Sequence, residues 1–197
     1  MSSLPDLRVS RTEYLRRERA AEFRSEYHGG LVVAMSGAAR KHNRIVTNLT
    51  MALGNQLKGR ACNNYSNDMR VSVRGGESYF YPDVVVTCGP EEFEDGEVDT
   101  LVNPVVVIEV LSTSTEGYDR GRKFLSYQTV RSLREYVLIT PHPPRFEIYR
   151  KRSDNVWEYE SLPFMPVRLT LESVECVLTS EDVWDKVEPE PSAPGNG

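Results

Sequence analysis

The chain has 197 residues, 39% of them hydrophobic and 27% charged, which is the composition of one globular domain and not of a disordered chain. Its net charge of −5 argues against binding nucleic acid over the whole surface, though it leaves room for a local basic groove. No apolar run approaches the roughly 20 residues of a membrane helix, and MSSLPDLRVSRTEYLRRERA has no apolar core of a secretory signal, so no membrane contact and a cytoplasmic location are expected.

In chain order, residues 1–9 read as a loose N-terminus. Ser10-x-x-Glu13 is a capping-box pattern that opens a helix over TEYLRRERAAEFRSE. His28-Gly29-Gly30 breaks it, and LVVAM follows as a short strand. A second helix is expected from about Arg40 to Lys58. Its Ile45, Leu49, Leu53 and Leu57 recur every four residues as one buried stripe, and Gly59 is placed to end it. MRVSV, Gly75-Gly76 and SYFYPDVVVTC read as a hairpin with a glycine turn. An acidic loop follows at 90–100. PVVVIEVLS is a nearly unbroken β-branched run, the mark of a strand covered on both faces. Ser112 to Thr115 offer caps for a helix over about 116–130, and EYVLIT is another buried strand. RFEIYRK, VWEYESL and PVRLTL read as more exposed strands. Thr179-x-x-Asp182 caps a last short helix. The reading is α/β with a central mixed sheet flanked by helices and additional C-terminal antiparallel strands. It is one domain, 1–187, with a disordered tail at 188–197.

Cys62, Cys88 and Cys176 are odd in number and unpaired in spacing, and are read as reduced thiols. Lys and Arg cluster at Arg16, Arg17 and Arg19; at Arg40, Lys41 and Arg44; at Arg120, Arg122 and Lys123; and at Arg150 to Arg152. The exposed-looking aromatics Phe146, Tyr149, Trp157 and Tyr159 are candidates for lining a homodimer interface.

Two strands carry a carboxylate where the pattern asks for an apolar residue: Asp83 in FYPDVVVTC and Glu109 in PVVVIEVLS. A lone ionised carboxylate in a buried strand costs several kcal/mol unless it is paired or binds a metal. A shared divalent cation answers both at once; separate arginine or hydrogen-bond partners are the other solution. On the helix that follows, Asp119, Lys123 and Tyr127 lie four residues apart on one face.

Pro82-Asp83 and Glu109-Val110-Leu111 resemble the PD-(D/E)XK nuclease signature with its strand lysine replaced by leucine. The stretches YPDVVV, NPVVVIEVLSTSTEGYDRGRKFLSY, SLREYVLI and EYHGGLVVAMSGAARKHNRIVTNL resemble, more specifically, the Uma-type restriction-endonuclease-like family over most of residues 12–180. That resemblance implies a restriction-endonuclease-like core and a metal-dependent DNA endonuclease. It implies that Asp83 and Glu109 hold Mg²⁺ or Mn²⁺ with the Val110 carbonyl, and that Lys123 supplies the relocated catalytic lysine. Glu26, placed at the end of the first helix, becomes a further acidic site residue. His42 and Arg120 become substrate contacts. The alternative is a nuclease-fold binding or scaffold protein that does not cleave, which the acidic charge and the lack of a recognisable DNA-reading module favour.

Overall fold

The computed structural model describes residues 8–35, 37–162 and 166–187. The expected tail and most of the loose N-terminus lie outside them. In chain order the elements are α1 (Arg11–Ala20), β1 (Ser25–His28), β2 (Leu31–Ala34), α2 (Arg40–Leu57), β3 (Cys62–Ser66), β4 (Arg70–Val73), β5 (Ser78–Phe80), β6 (Val84–Cys88), β7 (Thr100–Leu101) and β8 (Val106–Val110). A crossover follows: α3 (Glu116–Tyr118), a π-helical turn (Asp119–Lys123) and α4 (Phe124–Tyr127). Then come β9 (Glu135–Thr140), β10 (Arg145–Ser153), β11 (Val156–Leu162), β12 (Arg168–Leu171), a 3-10 turn (Glu172–Val174), β13 (Cys176–Thr179) and α5 (Ser180–Val183).

The strands form two main sheets where one was expected. One has the order β2-β1-β5-β4-β7, the other β11-β10-β9-β8-β6-β3, and β12 and β13 make a separate pair. SYFYPDVVVTC therefore splits. Its first part pairs with β4 and its second with β3 and β8. Pro82, which has no N–H to give a ladder, stands at the break. The run LVVAM does form a strand, but its partner is β1, which ends in His28 and turns at Gly29-Gly30. Helix α1 accordingly stops at Ala20, six residues before the expected end.

Side-chain alternation along the central strands sorts the core into two layers. Val84, Val86, Val106, Ile108 and Val110 face one side and join Ile45, Leu49 and Leu53 of α2 and the β12–β13 pair. Val85, Val107 and Leu111 face the other and join Val71, Val73 and Phe80 of the first sheet and Phe124 and Tyr127 of α4. The period-2 rule thus assigns each strand residue a layer, and residue 109 belongs to the second one. The crossover between β8 and β9 joins parallel neighbours, as parallel strands require. Both predicted caps form: Ser10 Oγ accepts from Glu13 N and Thr179 Oγ1 from Asp182 N. Among the described residues no helix is long and apolar enough to cross a membrane.

Three expectations change. The aromatic set of β10 and β11 is mostly used internally: Phe146 is buried in the first layer, and Tyr149 and Trp157 pack on Phe124, leaving Tyr159 half exposed. The basic groups are largely consumed by acids. Arg19 holds Asp95 and Asp99 of the acidic loop, Arg16 and Arg17 hold Glu13, and Arg152 holds Glu158 and Glu172. Last, Cys62 and Cys88 are not free thiols. They stand opposite each other on β3 and β6 and form a disulfide. Gly89 N donates to Ala61 O just outside them, which makes them a non-hydrogen-bonded pair, where opposed side chains approach most closely. Spacing in sequence could not show this, because the register is set by the fold. Cys176 remains free and buried.

The disulfide closes a loop with a sequence separation of 26. Reduction is expected to lower the unfolding free energy by about 3.5 kcal/mol, from the loop entropy alone. Urea unfolding with and without a phosphine reductant checks this; curves that coincide would mean the bond does not form in solution.

Candidate functional site

The site gathers at the end of β6 and β8 nearest Asp83 and Val110. The last ladder pair is Val84 with Ile108, so one step further along stand Asp83 and Glu109. Asp83 has just left the ladder, and its Oδ2 accepts the Val110 N–H at 2.7 Å. The same oxygen lies 3.2 Å from His42 Nε2, presented by the first turns of α2. Glu109 points into the second layer and is 3% exposed.

Lys123 meets Glu109 there. It is carried by the π-helical turn of the crossover and is 5% exposed. Its Nζ lies 2.9 Å from Glu109 Oε1 and 3.0 Å from Glu26 Oε1, with Asp119 Oδ1 at 3.8 Å. The contact with Glu109 is an ion pair and not a directed hydrogen bond, since Oε1 has no partner of hydrogen-bond geometry. Glu26 comes from β1, not from a helix end, and accepts a further bond from Tyr81 N at 3.3 Å. Phe80 lies beneath the ammonium, 5.6 Å from its ring centre, a cation–π arrangement. Tyr127 is fully buried, with a hydroxyl that has no hydrogen-bond partner among the described residues.

Burial is the largest influence on Glu109 and drives its carboxyl well above the ordinary range; Asp119, Asp83 and Glu26 act the same way and Lys123 opposes them. Burial works against the Lys123 charge, but Glu109, Glu26, Tyr127 and Asp119 together carry its ammonium well above the usual value. Asp119 is raised by burial against the pull of Lys123. Burial is the largest influence on His42 and works against its charge, but the bond to Asp83, the Asp83 and Asp119 charges and the Val110 backbone together raise it above the usual value.

Of the residues singled out in the sequence, Glu26, Glu109 and Lys123 meet directly, and Asp83 and His42 meet beside Val110. Arg120 goes elsewhere. Its guanidinium makes paired bonds of 2.7 and 2.6 Å to Glu147 and a third to Glu116. Asp119 emerges as part of the cluster. Its i,i+4 spacing to Lys123 reads as a surface salt bridge, and burial of both residues is what changes that. Tyr81 and Phe80 also belong here, and nothing in their local sequence marks them.

The oxygens of Asp83 and Glu109 and the Val110 carbonyl are hard donors of the kind Mg²⁺ and Mn²⁺ take. The buried Glu109 Oε1 without a directed partner fits such use. Among the described residues no group of three or more His, Cys, Asp or Glu side chains is arranged to hold a metal ion. A cation here therefore depends on backbone and water ligands beside the two carboxylates, which suits Mg²⁺.

The family model for Uma2, described as "Putative restriction endonuclease", matches residues 11–180. The chain belongs to the Uma2 family. Two Synechocystis proteins are similar to it: sll1609 is 38% identical over 149 residues, 76% of this chain and 84% of that one, and slr1290 is 34% identical over 155 residues, 79% and 80%. Among solved structures, one described as "a putative nuclease belonging to DUF820" from Anabaena variabilis superposes with a TM-score of 0.74. The match covers 91% of this chain and 99% of that one at 21% identity, so the likeness establishes a shared fold. The Uma2 match and this fold make the chain a restriction-endonuclease-like protein.

The raised Glu109 carboxyl gives a pH signature without metal. Past a pH of about 4 the unfolded chain releases this proton while the folded chain keeps it, so stability falls by up to about 1.4 kcal/mol per pH unit until the folded pKa is reached. Glu109→Gln removes that loss. In EDTA the variant should match the wild type near pH 4 and exceed it increasingly towards pH 7 in urea unfolding. A large loss at pH 7 would instead make ionised Glu109 the anchor of Lys123.

Proposed function

We propose that the protein is a Mg²⁺- or Mn²⁺-dependent endonuclease that hydrolyses phosphodiester bonds in DNA. The observation that carries this reading is the buried Lys123 ammonium set between Glu109 and Glu26, next to the Asp83–Val110 contact. Asp83, Glu109 and the Val110 carbonyl would hold the cation. When bound, the cation lowers the pKa of a water ligand and draws phosphate oxygens.

The chain's own residues do the rest. Lys123 offers a positive charge fixed in place by burial, the kind of preorganised group that stabilises negative charge developing on a phosphate. Glu26 is the second carboxylate on the ammonium and is itself fixed by Tyr81 N. The Val110 N–H keeps Asp83 turned towards β8. His42 restrains the same carboxylate and stands at the solvent side of it, about a fifth exposed, within reach of an incoming phosphate. Arg120, committed to Glu147 and Glu116, takes no part in this reading.

The test pairs cleavage with metal binding. Supercoiled plasmid should be nicked or linearised with Mg²⁺ or Mn²⁺ and not in EDTA. Lys123→Met should lower the rate by about two to three orders of magnitude while still gaining thermal stability from the metal. A hundredfold excess of metal over Kd should stabilise the wild type by about 2.7 kcal/mol, and Asp83→Asn should lose most of that gain. Full activity in Lys123→Met would remove the lysine from the chemistry. Metal-insensitive melting of the wild type would remove the cation and favour the non-cleaving alternative.

A further inference from the structure

The strand LVVA, β2, is the last strand of the first sheet, and it is apolar on both faces. Leu31 is 60% exposed, Val32 44%, Val33 60% and the adjoining Met35 40%. Edge strands are commonly blunted by charge, proline or a bulge, because their free N–H and C=O groups recruit another strand. This one carries none of those devices. From Gly29 to Ala39 the chain has no charged residue and no proline.

The hydrogen-bond phase says what fits the edge. Met35 N donates to Arg24 O, so 24 with 35 is a hydrogen-bonded pair, and alternation makes 26 with 33 and 28 with 31 the next ones in the observed register. Leu31, Val33 and Met35 thus spend their backbone groups on β1. Val32 and Ala34 turn theirs outwards, and they lie symmetrically about Val33. A two-fold axis at Val33 pairs Val32 of one copy with Ala34 of the other, and each such pair exchanges both backbone bonds. The same axis sets Leu31 against Met35 and Val33 against itself. No charge meets a like charge, which would be the usual obstacle to self-pairing.

We infer that β2 is a homodimerisation edge, on which a second copy of this chain adds its own β2 antiparallel about Val33, making one continuous sheet through both subunits. The partner is a second copy because the edge is complementary to itself in bonding phase, in apolar character and in charge. Glu26 lies opposite Val33 across β1–β2, so the strands bearing the two Glu26 residues stand three strand spacings apart, about 14 Å. The two candidate sites would then sit on one sheet. The inference does not depend on cleavage.

Light scattering and sedimentation of the purified chain, without DNA or metal, should give about twice the chain mass of 22.4 kDa. Val32→Pro removes an outward N–H that β1 does not use, and should give the single-chain mass with circular dichroism unchanged. Val33→Cys should cross-link to itself on mild oxidation, since residue 33 forms a non-hydrogen-bonded pair across the axis, and should run as a reducible dimer on a gel. Should Val32→Pro fail to fold, the Val33→Cys cross-link still decides. A wild type at 22.4 kDa up to millimolar concentration overturns the inference, whether or not another protein uses the edge. So does a Val33→Cys chain that stays monomeric on oxidation, or a folded Val32→Pro that stays dimeric.

Discussion

One buried ammonium organises this protein. Lys123 is almost wholly removed from water, and so is Glu109. Neither charge would be tolerated there alone. Their meeting requires the crossover to lie against the face of β8 that bears residue 109, and the first sheet supplies Glu26 to the same ammonium. Two ionic contacts on one ammonium thus tie three parts of the chain that are distant in sequence. Phe80 of the first sheet adds its ring under the same charge.

The position of the lysine follows from the packing. Two residues after Glu109 stands Leu111, 3% exposed and part of the second apolar layer with Phe124 and Tyr127. A lysine there would place its stem and charge in that layer. From the crossover the same charge reaches Glu109, leaving position 111 apolar. The π-helical turn serves this. It spans Asp119–Lys123, and such turns are rare and concentrated at functional sites. Here both its terminal residues are buried beside Glu109.

Much of this was legible in the sequence, and what was not had a common cause. Buried stripes, caps and β-branched runs reflect local periodicity, so α2, β6, β8, β9 and both Ser/Thr caps could be read directly. Asp83 and Glu109 stood out because each breaks an apolar pattern. What escaped was pairing between distant segments. Glu26 looks helical because SRTEYLRRERAAEFRSE is rich in helix formers, and its strand conformation comes from pairing with β2 and β5. The Cys62–Cys88 bond, the split of SYFYPDVVVTC between two sheets and the capture of Arg120 by Glu147 are of the same kind.

The charge balance of the cluster links fold to chemistry. Glu26, Asp83, Glu109 and Asp119 surround one ammonium, with His42 at the margin. Four carboxylates against that complement leave an excess of acid in a partly dry place. Without metal this excess bears on Glu109: burial, the largest cause, and three neighbouring acids push its carboxyl upward against the pull of Lys123. On the proposed reading, a divalent cation answers the same imbalance with its own charge. Protons and the cation compete for the same carboxylate oxygens, so cation binding weakens as pH falls. The features that make this pocket costly to fold are then the ones that give it affinity for a hard cation. The lysine balances Glu26 and Asp119 with or without the cation.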